Sequence, residues 1–169
     1  GNIARQLVHK WRSDEQAILV GTQTVIDDNP KLDVRQWTGK SPTRVILDRR
    51  LKIPRDAHVL DGKQQTVIFC SKSDTNKYKK GITYKFIDFE KDNVAQLCNA
   101  LHELNIQSIL IEGGAKTLQG FIDANVWDEA RIFKGIAKFE KGLKAPGIKG
   151  TLLCTEQIGK DTLTILKND

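Results

Sequence analysis

Three observations predict an α/β protein built on a mainly parallel central sheet with antiparallel C-terminal strands. Short continuous apolar runs recur, AILV from Ala17 to Val20, RVILD from Arg44 to Asp48, TVIFC from Thr66 to Cys70, and Ile109 to Ile111. Such runs suit strands covered on both faces. Between some of them apolar residues return at helical spacing, most clearly Val94, Leu97, Cys98, Leu101 and Leu104, and after the last helix pattern the strand patterns follow one another without a helix between them.

The elements follow in order from local chemistry. Ile3, Leu7, Val8 and Trp11 lie on one face of an opening helix that Ser13-Asp14 ends, and Ala17 to Val20 form a strand closed by Gly21. Thr22 to Asp28 hold one helical turn or two, stopped by Asn29-Pro30 because proline biases the preceding residue away from the α region. A polar loop runs to Pro42. The strand from Arg44 is followed by a turn-rich connection through Pro54 and Asp61-Gly62 to the strand at Thr66, and Ile82 to Ile87 alternates like an exposed or half-buried strand. The helix of Val94 to Leu104 leads into SILIEGGAKTLQGF, Ser108 to Phe121: a strand, a tight turn and a helix carrying Leu118, Phe121 and Ile122. Ala130 to Phe139 and Thr162 to Leu166 read as the closing strands, with a loop between Lys138 and Gly150.

A chain of 169 residues fits one domain, 1–169, with a core of ordinary size. No segment approaches the roughly 18 apolar residues of a membrane span, and no signal or transit pattern opens the chain, so a cytoplasmic location is expected. Cys70, Cys98 and Cys154 are far apart and odd in number, which predicts reduced thiols and neither a disulfide framework nor a zinc site. The net charge of +6 favours anionic partners. Dispersed lysines and few aromatics argue against nucleic acid, whereas a phosphorylated small molecule fits. The absence of methionine, and a first residue, Gly1, directly before a helix pattern, lead us to expect an incomplete chain.

Polar residues are densest in HKWRSDEQAILVGTQTVIDDNPKLDVR, His9 to Arg35. Arg12 ends a helix, Gly21 and Thr22 end a strand, and Asp27 and Asp28 precede a turn, which would bring all of them to one rim of the sheet. Each also has a purely structural reading: Arg12 offsets the helix dipole, the aspartates begin a turn, and Arg35 is a solvated loop cation. Asp48-Arg49-Arg50 follows a strand, so both arginines project at the same rim, where a guanidinium can hold a 2′-phosphate. The Gly113-Gly114 turn is either a phosphate cradle at a helix start or a plain βα turn beside a solvated Glu112. His9, His58 and His102 are scattered and draw no metal site, and no nucleophile elbow, Walker motif or zinc-deaminase pattern occurs.

RSDEQAILVGTQTVIDDNPKLDVR, VILDRR and ILIEGGAKTLQGFIDANVWDEARIF together resemble the reductase domain of the bacterial riboflavin-biosynthesis deaminase/reductase, over Ala4 to about Gly147. Asn29 is a departure, inserted ahead of Pro30 where many relatives read DDP; counting from Arg12 to Arg35 favours Asp28 as the aspartate facing the ligand. The resemblance implies a dihydrofolate-reductase-like three-layer sandwich and the NADPH-dependent reduction of the ribose of 5-amino-6-(5-phosphoribosylamino)uracil to its ribityl form. It implies that Arg12, Leu32, Arg35 and Glu112 face the substrate, Arg12 and Arg35 clamping its phosphate. It implies that Thr24, Asp28, Arg49, Gly113, Gly114, Ala115, Lys116, Thr117, Leu118 and Gly120 face the cofactor. Asp28 and Glu112 are the candidates for proton delivery, and no metal is implied in this domain. Relatives pair as dimers. They also carry upstream a first strand, a serine-x-tryptophan segment and, in bacteria, a zinc deaminase domain, none of which is in this sequence. Two other readings share these residues: a reductase of dihydrofolate or another pteridine, which lacks the phosphate that Arg12 and Arg35 would hold, and a non-catalytic nucleotide-binding remnant.

Overall fold

The computed structural model describes residues 1–71, 81–137 and 142–169. The chain opens with α1 (Asn2–Asp14), β1 (Ala17–Gly21) and α2 (Thr22–Asp28), followed by β2 (Thr43–Leu47), a single 3-10 turn (His58–Leu60), β3 (Thr66–Cys70) and β4 (Ile82–Phe86). Then come α3 (Asn93–Glu103), β5 (Ile109–Gly113), α4 (Ala115–Asp123), β6 (Glu129–Lys134), β7 (Thr151–Ile158) and β8 (Asp161–Lys167).

Strands β1 to β5 form one parallel sheet in the order β4-β3-β2-β1-β5. Ala17 stands beside Thr43 of β2 on one side and Ile109 of β5 on the other. Alternate residues feed two separate cores. Ala17, Leu19, Val45, Val67 and Phe69 meet Val94, Leu97 and Leu101 of α3 and Phe121 of α4. Ile18, Val20, Ile46 and Ile68 meet Val25 of α2 together with Leu32, Ala57 and Val59. Both faces of β1, β2 and β3 are therefore covered, which is why their sequences are continuous apolar runs rather than alternating ones.

Two expectations change. The run Ile109-Leu110-Ile111 reads as a strand buried on both faces, yet β5 is an edge of its sheet and the three residues are only half-buried. The closing strands form a second, three-stranded antiparallel sheet of order β6-β8-β7. Here β6 ends at Lys134, while Lys138 and Phe139 lie outside the described residues. Sequence patterning overlooks β7, because most of TLLCTEQI is exposed and a register shift between Leu152 and Cys154 interrupts its alternation. The available signal was Gly159-Lys160, a two-residue hairpin connection with Gly159 at φ +64°.

Helix α1 spans the gap between the sheets. Trp11 stacks on Phe133 of β6 with ring centroids 5.6 Å apart, and the Arg131 guanidinium stands 4.7 Å from the centre of the Trp11 ring. Across the other core, Arg44 of β2 is 1 % exposed and gives its donors to three acceptors on two segments: the carbonyls of Lys31 (2.9 Å) and Val59 (3.4 Å), and the carboxylate of Asp61 (2.7 Å). Burial pushes the Asp61 carboxyl upward, but the hydrogen bonds from Arg44 and from the Lys63 N–H outweigh it and hold the group below its ordinary value. Among the described residues no helix is long and apolar enough to cross a membrane.

Arg44 thus ties two irregular connections to the sheet. Replacement by alanine leaves buried carbonyls without donors, and Arg44→Ala should cost about 3 kcal/mol in the denaturant-unfolding free energy. Asp61→Asn, at a site still a quarter open to water, should cost clearly less; equal losses would contradict the structure.

Candidate functional site

All five strands of the larger sheet run in one direction, so their carboxyl ends share a rim. From β1 the chain passes through α2 toward β2, whereas β5 arrives after β4 and pairs on the opposite side of β1. The strand order reverses between β1 and β5, which is where open α/β sheets leave a crevice for ligands.

At that point the backbone is crowded. A Cβ on Gly21 would sit 2.8 Å from Thr117 Oγ1, and Cβ atoms on Gly113 and Gly114 would sit 3.3 and 3.2 Å from Thr24 Oγ1. The Gly113-Gly114 peptide is cis. Glycine at all three positions lets the head of α2 close against the β5–α4 turn, and the head of α4 against the end of β1. Gly114 caps α4 without a side chain, so the first N–H groups of α4 have no side-chain acceptor there. Asp28 lies one turn beyond Thr24 on the same face of α2 and is exposed.

Beside this junction Arg12 grips Glu112 through a two-pronged contact, Nε to Oε1 and Nη2 to Oε2, each 2.6 Å. Its third nitrogen, Nη1, donates to the Asp33 carbonyl at 3.1 Å. The Asp33 carboxylate in turn pairs with Arg35 Nη1. The Arg35 N–H donates to His9 Nδ1 at 3.4 Å, which places the proton of the neutral imidazole on Nε2. His9 is 4 % exposed; burial first, then the guanidinia of Arg12 and Arg35, hold its pKa below the usual value against the opposing influence of Asp33. Of these residues, His9, Arg12 and Arg35 line a cleft of about 610 Å³, together with Phe133 of β6.

A third group gathers at the end of β2. The buried Asp48 carboxylate accepts from the N–H groups of Lys52 (2.9 Å) and Ile53 (3.0 Å) and lies 3.1 Å from the Thr22 hydroxyl, which also donates to the Leu47 carbonyl. This folds the turn that carries Arg49. The Ser71 N–H and hydroxyl hold the Arg49 carbonyl, and the Arg49 side chain pairs with Glu90 near the Phe89 ring.

Of the residues singled out in the sequence, the structure brings Thr24, Gly113, Gly114 and Thr117 together, and separately Arg12, Glu112 and Arg35. Ala115, Lys116 and Leu118 follow on the first turns of α4, of which Lys116 is exposed. Gly120 faces Val94 of α3 rather than α2. Leu32 adopts φ +52° and is only 2 % exposed, packed in the core with Ile18, Val20 and Val25, and its carbonyl accepts from Gln64, so the residue is sunk in the core rather than open at the rim. Sequence reasoning passed over His9 and the bracing role of Asp48. The i, i+3 spacing of His9 and Arg12 on one helix face was the signal for the first. Among the described residues no cluster of three or more histidine, cysteine or carboxylate groups is arranged to hold a metal ion.

The chain matches the family model of the RibD C-terminal domain over residues 1–135. It is 30 % identical to the riboflavin biosynthesis protein RibD of Aquifex aeolicus, over 97 % of this chain and 49 % of that protein. It is 29 % identical to the 2,5-diamino-6-ribosylamino-4(3H)-pyrimidinone 5′-phosphate reductase of Archaeoglobus fulgidus, over 77 % of this chain and 66 % of that one. Among solved structures it superposes on the diaminohydroxyphosphoribosylaminopyrimidine deaminase/5-amino-6-(5-phosphoribosylamino)uracil reductase of Thermotoga maritima with a TM-score of 0.87 at 27 % identity, covering 98 % of this chain and 48 % of that one. The chain spans about half the length of the RibD relatives it matches.

The environment of His9 gives a pH signature. A pKa lowered on folding means that, as pH falls through the ordinary histidine range, the unfolded chain takes up the proton first and the folded state loses stability; above that range the effect is absent. The melting temperature of a neutral His9→Gln variant relative to wild type should therefore improve between about pH 8 and about pH 5. A difference that stays constant with pH would remove His9 from this role.

Proposed function

The chain belongs to the RibD C-terminal domain family, and on that footing we propose that it is an NADPH-dependent reductase of the ribose of 5-amino-6-(5-phosphoribosylamino)uracil. The observation that carries the reading is that two differently built regions are joined through the Arg12–Glu112 contact, Glu112 standing next to Gly113 at the switch point. One is a glycine-lined junction where a Cβ at Gly21 would collide with Thr117 and one at Gly113 or Gly114 would press tightly on Thr24; the other is a cleft lined by guanidinia.

The first region fits a dinucleotide. Backbone without side chains at Gly113 and Gly114 admits close approach, and the uncapped N–H groups of α4 suit a pyrophosphate. Thr24 and Thr117 offer hydroxyls beside it, and Arg49, at the end of the neighbouring strand, offers a planar charged fork for a 2′-phosphate. The second region fits a phosphorylated ribose, since charge-assisted hydrogen bonds from arginine are the strong way to hold a phosphate.

When bound, NADPH supplies the hydride that reduces C1′ of the opened ribose. The work left to this chain is orientation and the exclusion of water. The Arg12–Glu112 contact fixes the end of β5 relative to α1, and so sets the separation between the two regions. Both oxygens of Glu112 already accept from Arg12, so Glu112 positions, and the exposed Asp28, one turn from Thr24, is the carboxyl assigned to proton delivery. In this reading the chain is the reductase part of a cytoplasmic, homodimeric protein that also carries a deaminase domain.

Titration with NADPH and with NADH, followed by tryptophan fluorescence, tests the assignment. NADPH should bind more tightly, and Arg49→Ala should weaken NADPH by about tenfold or more while leaving NADH unchanged, as expected for loss of a charged hydrogen bond. Equal affinities for the two nucleotides, or an Arg49→Ala variant indistinguishable from wild type, would overturn the cofactor assignment.

A further inference from the structure

Away from β5, the rim of the larger sheet carries an ion pair that lies outside both cores. Arg49 follows β2 and Glu90 follows β4, with β3 between these strands in the sheet. The contact of Arg49 Nη2 with the Glu90 carboxylate therefore reaches across the carboxyl end of β3. Both side chains are open to water, arginine at 43 % and glutamate at 73 % exposure. A pair so exposed adds little to stability and is readily exchanged for another partner.

The backbone beneath each partner is held. On one side, the buried Asp48 carboxylate accepts the Lys52 and Ile53 N–H groups, and the Arg49 carbonyl accepts the N–H and the hydroxyl of Ser71 at 3.1 and 2.8 Å. On the other, the Asp88 side chain accepts the Glu90 N–H at 3.0 Å, while Gln96 of α3 accepts the Asp88 N–H and donates to the Asp88 carbonyl, each at 2.9 Å. Asp92, two residues beyond Glu90, caps α3 through the Ala95 N–H at 3.0 Å. What can turn is the Arg49 side chain rather than the segment that bears it. The Asp88 carboxylate is taken by the Glu90 N–H and by the Lys91 ammonium at 3.4 Å, which leaves Glu90 as the carboxylate that Arg49 holds.

We propose that Glu90 is an internal competitor for the anion site on Arg49: its carboxylate occupies the guanidinium that would hold the 2′-phosphate of NADPH, and the cofactor binds by displacing it. This rests on the reading that Arg49 receives that phosphate. A phosphate brings about two negative charges and three acceptor oxygens against the single charge of a carboxylate, so the exchange is favourable. A 2′-hydroxyl brings no charge and leaves the Arg49–Glu90 pair intact. The cost of breaking the pair falls on NADPH alone. Glu90 thus limits how strongly the chain prefers a 2′-phosphate to a 2′-hydroxyl, and its removal widens that preference.

Equilibrium titrations of adenosine 2′,5′-bisphosphate, ADP, NADPH and NADH against wild type, Glu90→Gln, Arg49→Ala and the double variant test the proposal. Glu90→Gln should tighten the bisphosphate and NADPH by about two- to fivefold, the strength of an exposed ion pair, and leave ADP and NADH unchanged. The gain should vanish in the Arg49→Ala background, because competition needs the guanidinium, whereas plain repulsion between Glu90 and the phosphate would survive there. Both side chains are open to water, so the variants should keep the wild-type circular dichroism spectrum. Wild-type affinity of Glu90→Gln for the bisphosphate, an equal gain toward ADP, or a gain that persists without Arg49 would each overturn the competitor role. In those cases the cofactor reading stands as long as wild type prefers NADPH and Arg49→Ala loses the preference. A wild type that binds NADPH no better than NADH would overturn that reading and the competitor role together.

Discussion

The two-pronged contact between Arg12 and Glu112 is the constraint from which the rest of the rim takes its geometry. It joins the last turn of α1 to the last residues of β5, two elements far apart in sequence. The pair is mostly buried, with arginine at 11 % and glutamate at 20 % exposure, so water screens it less than a surface pair and both oxygens are satisfied in one plane. From the same guanidinium a third donor reaches the Asp33 carbonyl and fixes the loop that bears Arg35. One side chain thereby sets three backbone positions. Packing could not do this alone, because β5 is a half-exposed edge strand with less apolar contact than β1, β2 or β3.

The same logic recurs along the rim. Asp48 is 1 % exposed and its acceptors are taken by the turn that follows it and by the head of α2. Asn29 accepts the His58 N–H through its side chain and meets the His58 ring through its carbonyl. Charged and polar side chains at the carboxyl ends of the strands are used first to place backbone, and only then is there something for a ligand to meet. That order explains why a motif dense in polar residues yields few groups whose donors remain open.

The central sheet was legible because its strands obey a strong rule. Burial on both faces forces continuous apolar runs in β1, β2 and β3, and the amphipathic pattern of Val94 to Leu104 is α3 nearly to the residue. The edges were less legible. In β5 the run Ile109-Leu110-Ile111 carries the signature of a central strand in an edge position, and β7 lacks a period-two pattern because little of it is covered. Of the site, the types of residue could be read but not their engagements. Sequence spacing placed Arg12 at the rim, yet only the fold shows that Glu112 and Asp33 already occupy its nitrogens. Leu32 is given by resemblance as a residue facing the substrate, and its positive φ and its place in the core are seen only in the fold. Gly21, Gly113 and Gly114 gain their meaning only from the threonines opposite them, which come from other elements.

The stretch between α2 and β2 has no regular structure, but it is not a loop in the mechanical sense. Leu32 is sunk in the core, the Lys31 carbonyl is held by Arg44, Gln64 reaches the carbonyls of Leu32 and Pro42, and the Ser41 hydroxyl accepts the Val34 N–H. Surface connections are ordinarily where chains gain and lose residues without harm. Here each tether fixes a residue at a set distance along the chain, so a single inserted or deleted residue would shift every later contact out of register. Over evolutionary time this irregular segment should hold its length as strictly as a strand does. Variation in length is then left to stretches whose described residues touch little else, such as Gly142, with nothing near it, and Leu143, which is 91 % exposed.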